Sequence, residues 1–177
     1  AVSKNIESFG KQEESVARLG LQFGSVGAKS LDEYSSSLQE VTRFGDENIN
    51  MVMAQFGAYG ASLDQTKSLT KATLDLAEGQ GMDLNSAALL VAKSFGSSTN
   101  ALSRYGITID ATASQEEKIQ QILSQSQSKY GGLAKLLGSL SASELVKAKN
   151  AFGDLGEQLG HTLAVGFNPV IKGITDF

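Results

Sequence analysis

Residues 30–63 read SLDEYSSSLQEVTRFGDENINMVMAQFGAYGASL, and this stretch decides the fold class. Leu31, Tyr34, Leu38, Val41 and Phe44, then Val52, Phe56, Tyr59 and Leu63, recur at spacings of three and four with one slip near Gly45, as on an amphipathic helix. Ser30 with Glu33 three residues on is the reciprocal pattern that satisfies two otherwise orphan amide donors at a helix start. The spacing predicts helix from about 30 to 58, as one long helix or two abutting ones.

The same period continues downstream. Ser62 with Gln65 opens a run through Leu69, Ala72, Leu76 and Ala77, closed by Gly79 and Gly81. Asp83 then caps a run through Leu84, Ala88, Val91 and Phe95, closed by Gly96. After the break at Tyr105-Gly106, Ile107-Thr108-Ile109 alternates with β-branched character before Asp110, the only place where the pattern fits a strand, and a short one. Ser114 with Glu117 restarts helix through Ile119, Ile122 and Leu123 to Tyr130, where Gly131-Gly132 interrupts it. Leu133, Leu137, Leu140, Leu145, Ala148, Phe152, Leu155, Leu159 and Leu163 keep helical spacing, with Ser141 and Glu144 as a restart inside the run. Asn168-Pro169 marks a last helix start, cut off by Phe177. Upstream, residues 1 to 29, with Gly10, Gly20, Gly24 and Gly27, read as a helix that frays into a turn.

The expected fold is therefore all-α: amphipathic helices separated by glycine turns, as a bundle or an extended array, with at most one short strand near 107–110. Three parts are distinguished: long helices over 1–60, a compact helical core over 61–137, and C-terminal helices over 138–177 that continue beyond the fragment. With 177 residues and 41% hydrophobic residues the chain can build a core. One Pro and 19 Gly leave glycine as the punctuation.

Nine of the twelve aromatic residues are followed directly by glycine: Phe9, Phe23, Phe44, Phe56, Tyr59, Phe95, Tyr105, Tyr130 and Phe152. Where a periodic run ends, as after Phe95 or Tyr105, the aromatic is the last core-facing residue and glycine takes the left-handed cap conformation. Where the run continues, as at Gly45 and Gly153, a mid-helix glycine costs about 1 kcal/mol relative to Ala, and close approach of a neighbouring helix is the expected offset. The first three steps lie 14 and 21 residues apart, a spacing that hints at coiled-coil-like register, although no strict repeat emerges. Gly153, Gly156 and Gly160 fall in one apolar segment and read as tight packing against another helix. Gly106, Gly131, Gly132, Arg104 and Tyr105 mark turns.

Several chemistries lack their residues. The sequence has no Cys and one His, His161, so it offers no disulfide, thiolate site, His pair or His-based triad. The paired acids Glu13-Glu14, Asp32-Glu33, Asp46-Glu47 and Glu116-Glu117 fit helix first turns and solvated faces. Neither a phosphate-cradling glycine loop nor a dinucleotide fingerprint occurs. Glu7-Ser8 followed by Gly20-Leu21-Gln22 is too closely spaced for a lytic transglycosylase. A net charge of -4 and scattered basic residues argue against specific nucleic-acid binding. No uncharged apolar stretch is long enough to span a membrane. No cofactor, metal or catalytic group is expected.

Read from Leu69 onward, the chain gives Leu74-Asp75-Leu76-Ala77, Gly79 and Gly81, Leu84 with Ala87-Ala88, then Leu102-Ser103-Arg104-Tyr105-Gly106-Ile107 with Ile109-Asp110. Ser114-Gln115-Glu116 comes next, and Tyr130-Gly131-Gly132-Leu133-Ala134 closes the series. In order and spacing this resembles the tail length tape-measure proteins of long-tailed bacteriophages, over about 69 to 137 and more loosely to 177, through Phe152-Gly-Asp-Leu-Gly and Asn168-Pro169-Val170-Ile171. The resemblance implies a helical virion component in the lumen of the tail tube, formed in the host cytoplasm, whose parent sets tail length and leaves the tube on genome ejection. It implies self-association and, as partners, the tail tube protein, tail assembly chaperones, and distal tail or baseplate proteins. Membrane contact is expected only for other parts of the parent. Two other readings are a generic helical module that binds a partner helix and a membrane-active protein inserting residues 152–171.

Overall fold

The computed structural model describes residues 2–140 and Glu144, with side chains described from Gly10 onward. Among these residues it contains six α-helices and no strand: α1 (Val2–Val41), α2 (Asp46–Ala58), α3 (Leu63–Gln80), α4 (Leu84–Gly96), α5 (Gln115–Tyr130) and α6 (Leu133–Gly138). A 3-10 turn, Ser103–Tyr105, lies between α4 and α5. The fold is all-α.

Helix α1 is not straight. Its one non-helical residue, Gly24, has φ 69° and ψ 175°, and there the helix doubles back. A straight helix would hold Gln12 and Asp32 about 30 Å apart at 1.5 Å per residue. Instead Gln12 Nε2 donates to Asp32 Oδ1 at 3.2 Å. The two arms, residues 2–23 and 25–41, therefore lie antiparallel, and α2 packs along both. Asn50, fully buried on α2, donates to Asp32 Oδ1 at 2.7 Å and lies 3.4 Å from Ser15 Oγ. The reversal needs two glycines. Gly24 takes the left-handed conformation that an L side chain reaches only at a cost, and a Cβ on Gly27 would sit 2.7 Å from Phe23 Cβ.

The helix expected from 30 to 58 is thus corrected at both its start and its middle. Ser30 lies inside α1, where preceding carbonyls already take the amide donors, and its hydroxyl accepts from Lys67 Nζ at 3.0 Å. The chain then turns over residues 42–45 before α2. Gly45 supplies no capping side chain, and Gln39 Oε1 instead accepts from the Asp46 N–H at 3.0 Å.

The other starts form as the sequence indicates. Ser62 with Gln65 and Ser114 with Glu117 make complete capping boxes, and Asp83 accepts from the Ser86 N–H at 3.0 Å. These bonds hold the Asp83 and Glu117 carboxyls below their ordinary range: the Ser86 hydrogen bonds act on Asp83 and the Ser114 backbone bond leads on Glu117.

Helix α3 is the hub, touching each of the other five helices. One continuous core runs from Leu19 to Ala134 and includes Met53, Phe56, Leu69, Leu74, Phe95, Leu102, Ile107 and Ile119. Phe56 and Phe95 meet with ring centroids 6.0 Å apart, and Tyr59 adds an edge contact to Phe95 at 6.3 Å. The buried hydroxyls of Thr70 and Thr73 on α3 are satisfied by the Thr66 and Leu69 carbonyls of the same helix.

At 107–110, where the sequence allowed at most one short strand, the chain is an extended segment without a partner strand. Ile107 and Ile109 point into the core while Thr108 and Asp110 face out, the alternation the sequence shows. Helix α5 supplies the hydrogen bonds a second strand would. Gln125 accepts from the Thr108 N–H at 2.8 Å and donates to the Thr108 carbonyl at 2.6 Å, and Gln121 Oε1 accepts from the Asp110 N–H at 2.8 Å. The half-buried backbone is thereby satisfied by side chains.

Candidate functional site

Three of the segments that carry the resemblance, around Asp75, Tyr105 and Tyr130, lie apart along the chain and meet at one place in the fold. Three elements build it: the C-terminal half of α3, the 3-10 turn, and the junction of α5 with α6. Asp75 is the buried anchor. It follows Leu74 on the core face of α3, is 4% exposed, and its carboxylate accepts from the Gly132 N–H at 2.9 Å and the Ala134 N–H at 2.8 Å. Those N–H groups belong to the N-cap and the first turn of α6, so a carboxylate 57 residues away takes the place of a local capping side chain. Gly132 provides none, being a glycine with φ 82°.

Tyr130, the last residue of α5, closes the other side. Its hydroxyl accepts from Gln80 Nε2 at 2.7 Å and donates to the Tyr105 carbonyl at 3.1 Å. Its ring packs against Gly79, where a Cβ would be 2.5 Å from Tyr130 Cδ1. One ring therefore joins α3, the 3-10 turn and α5. Nearby, Arg43 makes a two-pronged ion pair with Glu78 and ties the α1–α2 turn to the same end of α3. The Glu78 hydrogen bond raises the Arg43 pKa above its ordinary value.

The singled-out turn residues fall around this node. Tyr105 is half-buried with Arg104 over its ring at 5.2 Å, and Gly106 ends the 3-10 turn with φ 75° beside Lys129 Nζ. Gly131 succeeds α5 with its N–H donating to the Gln127 carbonyl. Gly45 is not brought into the node. It lies in the turn before α2, where a Cβ would meet only side-chain oxygens of Gln39 and Glu47 at 3.7 and 3.9 Å, so the close helix contact expected there does not occur. Gly153, Gly156 and Gly160 lie outside the described residues, as does His161.

Close approach at glycine does occur, at positions the spacing did not single out, and its partner is an aromatic ring. Phe23 packs on Gly57, Tyr59 on Gly96 and Tyr130 on Gly79. In each case the aromatic of one aromatic-glycine step lies on a glycine of another helix. Gly96 is accordingly the last helical residue of α4 rather than a left-handed cap, a correction to its expected role. At Gly138 backbone approaches the backbone of the α1–α2 turn, since a Cβ there would come within 2.9 Å of Thr42 Cα.

The node's polar atoms are engaged internally: both Asp75 oxygens and the Tyr130 hydroxyl hold backbone or amide partners. Among the described residues no three His, Cys, Asp or Glu side chains converge as a metal site, and no helix is long and apolar enough to cross a membrane. The arrangement fixes helix ends and seats rings in glycine notches. Asp75 could have been found from sequence, because an acid between two core leucines in mid-helix requires a buried partner. Which partner it takes depends on the tertiary fold. Comparison with known family models, curated proteins and solved structures returns no match to this chain.

Proposed function

We propose that this chain is a non-catalytic assembly module of a phage tail, a segment of a tape-measure-like protein carried in the lumen of the tail tube. What supports the reading is the convergence of the residues behind the resemblance. Leu74-Asp75-Leu76-Ala77, Gly79, Tyr105-Gly106 and Tyr130-Gly131-Gly132-Leu133-Ala134 hold one another through three hydrogen bonds and one ring-on-glycine contact.

The bundle refines the role. A straight rod extends about 1.5 Å per residue, whereas these helices fold back on α3. In the parent, this segment acts as a compact docking unit beside the length-measuring helices. Its partners are further copies of the chain, the tail tube protein, assembly chaperones and distal tail or baseplate proteins. It forms in the host cytoplasm and leaves with the genome.

The test is the protein content of virions from the phage whose genome encodes the chain. Peptides from residues 63–138 are expected in purified tails and lost after ejection, and the gene is expected beside that of the tail tube. Absence from virions together with a position away from tail genes would reject the proposal and leave a generic helical binding module.

A further inference from the structure

The geometry points to a second copy of this chain as a partner, engaged by exchange of residues 2–23. The hairpin in α1 turns on one residue. Helical structure runs from Val2 to Val41, and Gly24 alone departs from it. If Gly24 adopts helical angles, α1 becomes one rod of 40 residues, about 60 Å long. Residues 2–23 then leave their own bundle and fill the equivalent place on a second copy, which returns its arm.

Three observations favour this exchange. First, the arm's contacts are recovered in trans: buried Leu19 and Ser15, Phe23 on Gly57, and the bonds of Gln12 to Asp32 and of Asn50 to Ser15 all have the same partners on the second copy. Second, a hinge without loop residues gains helical hydrogen bonds when it straightens, and short hinges promote swapping. Third, the hinge carries Leu21 and Val26, 83% and 84% exposed, the most exposed large hydrophobic residues among those described. The only new surface in the exchanged dimer is where the two straightened hinges cross. There the open space around Gly20 and Gly24, with no atom within 4 Å of a Cβ at either, lets two helices approach and cover Leu21, which adjoins that face of the straight helix. Gly20 and Gly24 fall four residues apart on the straight helix, and small residues at that spacing permit close crossing.

The exchange stands on the hinge and is independent of the tail reading. The test uses the full 177-residue chain with Gly24→Ala, which strains the hairpin and favours the helix. From the left-handed and helix-propensity terms at two hinges, dimerisation should strengthen roughly 10³–10⁴-fold. Light scattering reads the mass. Spin labels on Glu13→Cys and Glu33→Cys, exposed positions on the two arms, read the hinge in a labelled chain diluted with unlabelled chain. The intrachain distance should lengthen to roughly 30 Å in the dimer. A monomeric Gly24→Ala protein, or a dimer whose intrachain distance stays short, overturns the inference. Should Gly24→Ala not fold, wild type refolded at high concentration carries the test, against a variant with Gly-Asn-Gly inserted after Gly24. Wild-type dimer with the long distance, abolished by the insertion, supports exchange. Absence of that dimer, or its persistence in the insertion variant, refutes it.

Discussion

Replacing Asp75 by Ala removes the acceptor for two amide donors at the start of α6. Each hydrogen bond to a charged acceptor contributes about 1.5–3 kcal/mol. The two donors meet different fates. Gly132 is exposed, so its N–H turns to water, whereas Ala134 is 3% exposed and its N–H is left buried without a partner. Against this loss, the variant no longer has to bury a carboxylate away from water, which itself carries a penalty. The balance is a destabilisation of about 2–4 kcal/mol for Asp75→Ala. Asp75→Asn keeps the volume and one acceptor oxygen, and should lose about half as much. Urea unfolding of the full chain followed by circular dichroism measures both, with the slope expected to stay constant. Amide exchange at Ala134 should accelerate in Asp75→Ala. If Asp75→Ala unfolds within about 0.5 kcal/mol of wild type, below the smallest contribution expected of one such bond, the carboxylate does not anchor α6 and the node is incidental.

Other predictions rest on contacts of the same kind. Gly57→Ala places a Cβ 2.6 Å from Phe23 Cζ and should destabilise by about 1–3 kcal/mol despite better helix propensity. Gly20→Ala, with open space around it, should stabilise by up to about 1 kcal/mol, and thermal melts of the two variants should move in opposite directions. Tyr130→Phe removes the bridge between Gln80 and the Tyr105 carbonyl and should cost about 1–2 kcal/mol by urea unfolding, leaving the ring on Gly79 in place. Asp83, Asp110 and Glu117 have folded-state pKa values below their ordinary 3.8, 3.8 and 4.5, so their contribution is present above those values and lost as pH falls through the lower folded ones. Glu117→Gln should therefore flatten the acid limb of the stability curve, and its difference from wild type should vanish once Glu117 is protonated.

Helix starts were legible because capping is local chemistry. Ser62, Asp83 and Ser114 each find their donor within three residues, so residue identity alone places the start. Ser30 shows the limit, since the same pattern inside a helix already running has no free amide to cap. The alternation of Ile107 and Ile109 reported burial correctly and left open whether a strand forms. Nothing local reveals that Gln121 and Gln125, eleven and seventeen residues on, replace a strand. The glycines divide the same way. A left-handed position such as Gly106 announces itself as a break, whereas Gly57, Gly79 and Gly96 are notches for rings from other helices and are visible only once those helices are placed. Gly24 combines both cases. A turn was legible near it, but not the return of helix on its far side, which depends on Asp32 and Asn50 receiving the arm.

The decisive measurement for the proposed tail role is electron microscopy of particles from the encoding phage after in-frame deletion of residues 63–138 in the parent gene. Tails should then be missing or irregular in length, because the docking unit built on α3 and its node is gone. Normal tails of unchanged length would overturn the proposal.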